Sequence, residues 1–335
     1  MKYRELGRTG LQLPVIGFGA GQFGDMYGDT TQKNCTETAA MAIDAGINYF
    51  DVAPSYGPEG LAEERLGIAL KGHDRSKLVV NTKCGRWDHG VIGAPIYEYS
   101  FEPKKIRAEL ENSLRRLQMD YVDIYQIHDI NNCPNLNYLI EETIPELEKL
   151  KQEGKIRFIG ITGAYLDTMK YILDRTNAVD SVLSFCRYNL IDTSLKGYFS
   201  EYIQNRGLGL INASILYMGM LTPNVKTLVH WRDKQLLHNI REAVEKANEL
   251  CVKAGTSLPE QACLFGLAYE EPASTLIGMG RPSSLERNLK LLEKSRNLEL
   301  EQELLSLFHG KSIFQDVGQI DGKTIVGSYS DKSDN

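Results

Sequence analysis

Segments with strand character alternate with segments of helical periodicity along most of this chain. Each strand candidate is short, apolar and rich in β-branched or aromatic residues, and each is followed by a helix candidate. The strand candidates lie at 15–19, 48–50, 78–83, 121–128, 156–162, 181–187, 209–214 and 274–277. Strands that alternate with helices form parallel sheets, and about eight such units predict a closed, single-domain (β/α)8 barrel of the α/β class rather than a doubly wound sheet.

The helix candidates fill the intervals between these strands. They lie at 31–45, 61–70, 102–117, 136–153, 167–173, 194–205, 233–254 and 257–269, with a terminal helix at 299–307. Ahead of the first barrel strand, residues 3–14 carry the turn signal Arg8-Thr9-Gly10, which predicts a small β-hairpin.

The chain length bears on the number of domains. Two domains are the usual expectation for 335 residues, but a single α/β barrel commonly reaches this size, and no linker interrupts the alternation. Hydrophobic residues make up 42% and charged residues 24%, as in an ordinary globular protein with a large core. We therefore predict one barrel domain over 1–310 and a C-terminal tail, 311–335, that is partly disordered because it contains few apolar residues.

Charge and cysteine usage argue against several function classes. The formal net charge is −6 and no basic stripe is present, so we expect no nucleic-acid partner. No apolar run approaches the ~18 residues of a membrane span, and residues 1–5 lack a signal-peptide core. The six cysteines are dispersed without a C-x-x-C pair, which favours reduced thiols in a cytoplasmic protein over disulfides or a metal site.

Four side chains able to carry charge or protons lie at or just after three predicted strands. Asp51 directly follows the strand at 48–50, and Tyr56 lies in the Pro- and Gly-rich turn behind it. Lys83 ends the next strand, and His128 ends the one after that. Because the carboxyl ends of parallel barrel strands share one rim, we predict that these four side chains converge there.

Such a set is suited to proton transfer. A free phenol has a pKa of about 10, and a neighbouring ammonium lowers it. Bringing the pKa of Tyr56 to neutrality requires roughly 4 kcal/mol from Lys83 and its surroundings, at about 1.4 kcal/mol per unit. Asp51 would hold Lys83, and His128 would donate a hydrogen bond to a carbonyl oxygen. A structural alternative is that Asp51 caps the helix that starts near residue 62 or holds the Pro54-Ser55 turn in place, while Tyr56 packs.

With this set in view, the sequence resembles the aldo-keto reductase superfamily from Leu6 to Asn288. Members share a (β/α)8 TIM barrel, a hairpin that closes the barrel bottom, and a catalytic tetrad that maps onto Asp51, Tyr56, Lys83 and His128. Within the superfamily, the segments IGITG at 159–163, LSFC at 183–186 and NASILYMGMLT at 212–222 look most like the L-galactose dehydrogenase and aldose 1-dehydrogenase branch.

The resemblance also implies a bound nicotinamide cofactor. The positions that it assigns to cofactor binding are Gly19, Ala20, Gly21, Thr162, Arg187, Ser214, Leu216, Met218, Gly219, Leu221, Gly278, Gly280, Arg281, Ser284 and Asn288. The run 275–288 combines a strand, two glycines and a helix start, which can offer backbone donors to phosphate. An alternative role for its Ser283 and Glu286 is a capping box. NADP-preferring members commonly carry a basic residue at Ser284, so we favour NAD, although Arg281 and Arg287 leave NADP open.

Three positions depart from the superfamily pattern. Phe185 aligns with a glutamine that reaches the nicotinamide amide in many members, and Ala213 aligns with a tyrosine that stacks on the ring in some. Thr162-Gly163 replaces a Ser-Asn pair. We therefore assign the carboxamide contacts to Thr162 and Arg187.

The polar, glycine-broken segment at 85–99 is predicted to overhang the rim. Trp87 and His89 in this segment are candidates for substrate contact, with ordinary loop packing as the alternative. Cys84 lies beside Lys83, but no general base is positioned for it by the sequence, so we interpret it as a packing residue.

The sequence thus predicts an NAD(P)-dependent oxidoreductase, an aldose 1-dehydrogenase of L-galactose dehydrogenase type, with Tyr56 as general acid or base and a small-molecule sugar or carbonyl substrate. Three alternatives stay open: an NADPH-dependent aldehyde or ketone reductase, a cofactor-binding regulatory subunit with little turnover, and a barrel hydrolase with paired carboxylates. The direction of the reaction and the oligomeric state are not encoded in these motifs.

Overall fold

The computed structural model describes residues 1–26, 28–86, 98–222 and 234–314. The strands are β1 (Tyr3–Glu5), β2 (Gln12–Pro14), β3 (Ile16–Gly19), β4 (Tyr49–Asp51), β5 (Val79–Cys84), β6 (Val122–Ile127), β7 (Ile156–Gly163), β8 (Ser181–Phe185), β9 (Gly209–Ala213) and β10 (Ser274–Gly278). Strands β3 to β10 close into a barrel in the order β10-β3-β4-β5-β6-β7-β8-β9, and every neighbouring pair is parallel. The predicted (β/α)8 barrel is confirmed.

Helices surround the barrel. They are α1 (Gln32–Asp44), α2 (Leu61–Leu70), α3 (Pro103–Leu117), α4 (Leu136–Tyr138), α5 (Ile144–Gln152), α6 (Leu166–Leu173), α7 (Ser200–Arg206), α8 (Lys234–Lys253), α9 (Leu258–Leu267), α10 (Pro282–Lys290) and α11 (Leu298–Phe308). Several begin where a polar side chain accepts a hydrogen bond from a backbone N–H of the first turn, as Thr31 does from Asn34 and Ser257 from Glu260. The apolar faces of the helices pack on the outside of the strands in one large core.

The N-terminal hairpin closes the amino end of the barrel. Strands β1 and β2 pair antiparallel, and the leucines Leu6, Leu11 and Leu13 pack among the inward-facing apolar residues of the barrel strands. Gly7 has a φ of +47°, and a Cβ there would lie 2.2 Å from the Gly207 carbonyl oxygen. This contact requires glycine and fixes the hairpin against the start of β9.

Two predicted boundaries around β8 are wrong. The strand predicted at 181–187 ends at Phe185, because Cys186 has a φ of +61°, a left-handed conformation that an extended strand does not contain. The helix predicted at 194–205 begins at Ser200, since Gly197 has a φ of +76° and Asp192 Oδ1 accepts a hydrogen bond from the Ser194 N–H at 2.9 Å. Asp192 and Gly197 thus hold the segment before Ser200 in turns instead of a helix.

The helix predicted at 136–153 is present, but it is interrupted by a π turn over Leu139–Thr143 between α4 and α5. Pro145 explains the interruption, because it has no N–H and its ring would clash with the carbonyl of Glu141 in a regular α-helix. A π turn widens the helix at this point and removes the clash.

The chain after α11 returns to the carboxyl-end rim of the barrel. Phe314 is buried, with its ring edge-on to those of Tyr165, Phe185 and Tyr217. Residues 311–314, which the sequence assigned to the tail, are therefore packed against the barrel, and residues 315–335 lie outside the described part of the chain. Within the described residues, no helix is both long and apolar enough to cross a membrane.

Candidate active site

The structure places the four strand-end residues together at the carboxyl-end rim. Lys83 Nζ lies 2.7 Å from Asp51 Oδ1 and donates a hydrogen bond to Tyr56 Oη at 3.2 Å. The rings of Tyr56 and His128 meet edge-on, with their centroids 6.1 Å apart. Asp51, Lys83 and His128 are buried, whereas Tyr56 is partly exposed. A carboxylate, an ammonium and a phenol thus form a chain of contacts that ends at the mouth of the barrel.

The backbone around Tyr56 explains how a loop residue is held so firmly. The Tyr56 N–H donates to the Ala53 carbonyl at 3.0 Å, and the Ala62 N–H donates to the Tyr56 carbonyl at 3.1 Å. Gly60, not Asp51, is the N-cap of α2, and no side chain caps that helix end. The alternative role of Asp51 as a helix cap is therefore wrong, and its carboxylate faces Lys83 instead.

Gly24 also supports the position of Tyr56. A Cβ on Gly24 would lie 2.1 Å from the Tyr56 carbonyl oxygen, so the backbones of the two loops are in direct contact. Gly24 thus makes room for the Tyr56 loop.

We expect Gly24→Ala to displace Tyr56 and to lower kcat by about 10- to 100-fold, because small misplacements of a reacting group are costly. Steady-state kinetics together with thermal unfolding would measure this. Gly72→Ala is the control for destabilisation without a clash at Tyr56, since Gly72 has a φ of +89° that strains any side chain while a Cβ there meets nothing within 4 Å. A folded Gly24→Ala protein with wild-type kcat would contradict the expectation.

Burial dominates the ionisation of the phenol. Burial raises the pKa of Tyr56, and the Lys83 charge opposes this rise without reversing it. Burial therefore works against the lowering of the Tyr56 pKa that the Lys83 ammonium favours. Burial alone would lower the pKa of Lys83, but the charges and hydrogen bonds of Asp51 and Tyr56 together raise it above its ordinary value, so the lysine stays charged. Burial and the charges of Lys83 and Arg86 hold the pKa of His128 well below its usual range.

These shifts predict a pH dependence with a definite sign. If Tyr56 is the acid or base of a reversible reduction, as the sequence predicts, reduction needs the protonated phenol. We then expect its kcat to stay constant through neutral pH and to fall only above the ordinary phenol pKa of 10.0, because the pKa of Tyr56 is raised. Oxidation needs the phenolate, so its kcat should rise with pH over the same range. The neutral His128 should add no limb near pH 6.5. Profiles of kcat in both directions test this, and a limb near 6.5 that disappears in His128→Gln would contradict it.

The corner between β10 and α10 has the features of a phosphate site. The N-cap of α10 is Arg281, Pro282 occupies the first turn, and no side chain caps this end. The alternative role of Ser283 and Glu286 as a capping box is therefore wrong. Pro282 has no N–H and the Ser284 N–H donates to the Arg281 carbonyl oxygen at 3.0 Å, so the Ser283 N–H is the first-turn donor left for an anionic ligand among the described residues. Gly278 is exposed, Gly280 is buried, and Ser284 is partly exposed.

Two further side chains of this corner bear on the cofactor. Arg281 Nη2 donates to the Asp29 carbonyl oxygen at 2.7 Å, so its guanidinium already has a protein partner. Asn288 is buried, and its Nδ2 has no hydrogen-bond partner among the described residues. A buried amide donor without a partner is what an adenine acceptor would satisfy, so the residues present fit a dinucleotide.

The loop after β9 is held in an unusual backbone conformation. Ser214, Tyr217 and Met218 have φ values of +55°, +50° and +51°, in the left-handed region that favours glycine. Ser214, Leu216, Met218 and Gly219 are partly exposed, whereas Leu221 is fully buried and does not offer its side chain to a ligand. Tyr217 Oη accepts a hydrogen bond from the Ile313 N–H at 2.7 Å, which connects this loop to the C-terminal segment.

The remaining predicted cofactor residues differ in how far they can reach a ligand. At the exit of β3, Gly19 and Gly21 are partly exposed and Ala20 is fully buried. Thr162 is buried at the end of β7. Arg187 is also buried, and its guanidinium lies 3.4 Å from Asp192 Oδ2 and donates to the Phe314 carbonyl oxygen. Trp87 and His89 lie outside the described residues.

Comparison with known proteins identifies the family. The model of the Aldo/keto reductase family matches residues 15–303. The chain belongs to the aldo/keto reductase family. L-galactose dehydrogenase of Arabidopsis thaliana is 38% identical over 310 residues, which cover 91% of this chain and 92% of the relative. D-threo-aldose 1-dehydrogenase of Pseudomonas sp is 28% identical and covers 84% of this chain and 89% of the relative.

A solved structure agrees with this assignment. The holo form of aldo-keto reductase AKR11C1 from Bacillus halodurans superimposes with a TM-score of 0.72 and 27% identity, over 92% of this chain and 96% of that one. As an aldo/keto reductase, the present chain is an oxidoreductase that acts on alcohol or aldehyde groups of small molecules with a nicotinamide cofactor.

Two polar residues of this aldo/keto reductase site were missed from the sequence. Asp129 is buried with a φ of +47°, accepts a hydrogen bond from Tyr99 Oη at 3.1 Å, and lies 3.9 Å from His128 Nε2. Asn131 is buried beside Gly163, and its Oδ1 has no partner among the described residues. The available signal was position, since both follow His128 in the loop after β6.

Proposed function

We propose that this chain is an aldose 1-dehydrogenase of L-galactose dehydrogenase type, which oxidises the anomeric hydroxyl of a sugar. The contact of 3.2 Å between Lys83 Nζ and Tyr56 Oη, with Asp51 on the far side of the lysine, is the observation that carries the proposal. A phenol held beside a permanent cation can exchange a proton with a substrate oxygen, because the cation stabilises the phenolate. The names of the two aldose dehydrogenase relatives support the sugar substrate.

In this proposal, the proton and the hydride leave the substrate by different routes. The bound nicotinamide supplies the hydride acceptor for oxidation or the donor for reduction. Tyr56 accepts the hydroxyl proton in oxidation and returns it in reduction, while Lys83 stabilises the phenolate and Asp51 keeps Lys83 in place. His128, neutral because its pKa is lowered, donates a hydrogen bond that orients the substrate oxygen.

We propose NAD as the preferred cofactor. Ser284 offers no positive charge to a 2′-phosphate, and the Arg281 guanidinium is bound to the Asp29 carbonyl. The uncapped start of α10 and the glycines before it would hold the pyrophosphate, and Asn288 would hold the adenine. Thr162, Arg187 and Asn131 are the candidates for the carboxamide, of which Asn131 has the unpartnered oxygen. The described cysteines are free and buried, which supports the cytoplasm as the proposed location.

The test is a substrate panel run with each cofactor. L-Galactose, L-fucose, D-arabinose and simple aldehydes would be assayed by the near-ultraviolet absorbance of the reduced nicotinamide, and NADH and NADPH affinities would be measured by titration. We expect oxidation of at least one aldose with NAD. Reduction of aldehydes with NADPH and no sugar oxidation would support the reductase alternative, and cofactor binding without turnover would support the regulatory one.

A further inference from the structure

Two amide side chains lie in the barrel interior directly beneath the tetrad. Asn81 lies in β5, two residues before Lys83. Gln126 lies in β6, two residues before His128, which directly follows that strand. Because alternate residues of a strand face the same side, both amides point into the barrel on the side that carries the lysine and the histidine. Both are fully buried. They form a second polar layer one step further from the mouth.

This layer is bonded to the tetrad. Asn81 Nδ2 donates to Asp51 Oδ2 and, at 3.2 Å, to Gln126 Oε1. Lys83 holds the other carboxylate oxygen, Oδ1, at 2.7 Å. Both oxygens of Asp51 are therefore occupied, one by the lysine above and one by the amide below.

We propose that Asn81, itself oriented by Gln126, is a positioning residue for the reaction, because it fixes the Asp51 carboxylate against which Lys83 is aligned with Tyr56. The inference rests on the proposed function of Tyr56 and extends it to a relay of five side chains: Gln126, Asn81, Asp51, Lys83 and Tyr56. Only Tyr56 in this relay reaches the mouth of the barrel, so the amides act through their neighbours.

A purely structural role does not account for the pair. Asn81 Oδ1 and Gln126 Nε2 are buried and have no hydrogen-bond partner among the described residues, so each amide is only half satisfied. Half-satisfied amides lower stability relative to apolar side chains of the same shape. The neighbouring strand also makes room for them, since a Cβ on Gly160 would lie 2.6 Å from Gln126 Cγ. A fold selected for stability alone would place apolar residues here.

The pKa of Asp51 indicates how the loss of Asn81 should change activity with pH. Burial raises the pKa of Asp51, and the Lys83 charge together with the hydrogen bonds from Lys83 and Asn81 lowers it. The titratable groups that face this carboxylate are Lys83 from β5, Tyr56 from the following loop and Tyr49 from β4, while β3 on the other side presents Gly19. Without the Asn81 donor, the pKa of Asp51 rises, so the carboxylate is neutralised at a higher pH and releases Lys83.

Two substitutions at Asn81 should therefore shift the pH profile in opposite directions. Asn81→Leu keeps the size and removes the donor, so the ratio of its kcat to that of the wild type should fall at low pH and recover as pH rises. Asn81→Asp places a second carboxyl beside Asp51, and one of the two takes up a proton and donates as the amide does. Its relative kcat should be highest at low pH and should fall as pH rises. At neutral pH we expect losses of about 10- to 100-fold, with substrate KM and NADH affinity within about twofold of wild type.

Gln126→Leu supplies the coupling test. It should lower kcat less than Asn81→Leu, and the double variant should be no slower than Asn81→Leu, because Gln126 acts only through Asn81. Thermal unfolding of each variant shows whether it is folded, and the near-isosteric Asn81→Asp decides the question if Asn81→Leu does not fold. Equal relative rates at all pH values for Asn81→Asp, or a kcat equal to that of the wild type, would overturn the positioning role. The proposed function is tested separately, by the substrate panel on the wild-type protein and by Tyr56→Phe, so its failure is distinguishable from a failure of the positioning role.

Discussion

Tyr56→Phe is expected to lose about 10³-fold in kcat, because the substitution removes the one hydroxyl that exchanges a proton with the substrate and leaves the ring in place. The Lys83 ammonium loses its 3.2 Å partner but keeps Asp51, so the fold should remain intact. Steady-state kinetics with a sugar found in the substrate panel would measure the loss. Retention of more than about a tenth of the wild-type rate, a loss below roughly 1.4 kcal/mol, would contradict the acid-base role.

Tyr49→Phe is the matched control for this experiment. Tyr49 lies in β4, two residues before Asp51, and its hydroxyl is buried without a hydrogen-bond partner among the described residues. Removing this hydroxyl should leave kcat unchanged and should not reduce stability, since no hydrogen bond is lost. A large loss of kcat in Tyr49→Phe would show that removing any tyrosine hydroxyl near Asp51 slows the reaction. The loss in Tyr56→Phe could then not be assigned to proton transfer.

The fold could be predicted because its signal is repeated. The alternation of strand and helix recurs along the whole barrel, so an error at one boundary does not change the architecture. The convergence of Asp51, Lys83 and His128 follows from the same repeat, because the carboxyl ends of neighbouring parallel strands all lie at one face of the barrel. Tyr56 was harder to place, since its position depends on a contact with Gly24, which lies far away in the sequence.

What could not be predicted depends on three-dimensional context. The left-handed conformation of Cys186 carries no sequence signal, and that of Asp129 carries only the weak preference of aspartate for this region. The direction of the Tyr56 pKa shift depends on whether burial outweighs the Lys83 charge. The burial of a loop residue depends on the whole fold, so it cannot be predicted from the neighbouring sequence. Asn81 and Gln126 could have been found by reading every second residue inward from the strand ends.

The buried ion pair makes Lys83 a residue whose loss should reduce activity and stability together. Lys83→Met leaves the Asp51 carboxylate buried without its cation, and breaking a buried pair in this way typically costs about 3–5 kcal/mol. We expect kcat to fall by at least about 10²-fold as well, since the phenolate loses the charge that stabilises it. Urea denaturation and steady-state kinetics on the same preparation would measure the two effects.

The stability loss in Lys83→Met should grow with pH, and its sign can be worked out. Without Lys83, burial leaves the pKa of Asp51 above its unfolded value of about 3.9, so the folded state binds a proton more tightly than the unfolded state. The variant is then most stable below the unfolded pKa and loses stability as pH rises toward the folded pKa. Adding Asp51→Asn removes the titrating group, so the double variant should regain most of the stability and lose the pH dependence, while its kcat stays low. If the double variant is as unstable as Lys83→Met at neutral pH, the loss comes from packing around residue 83 and not from an unpaired charge.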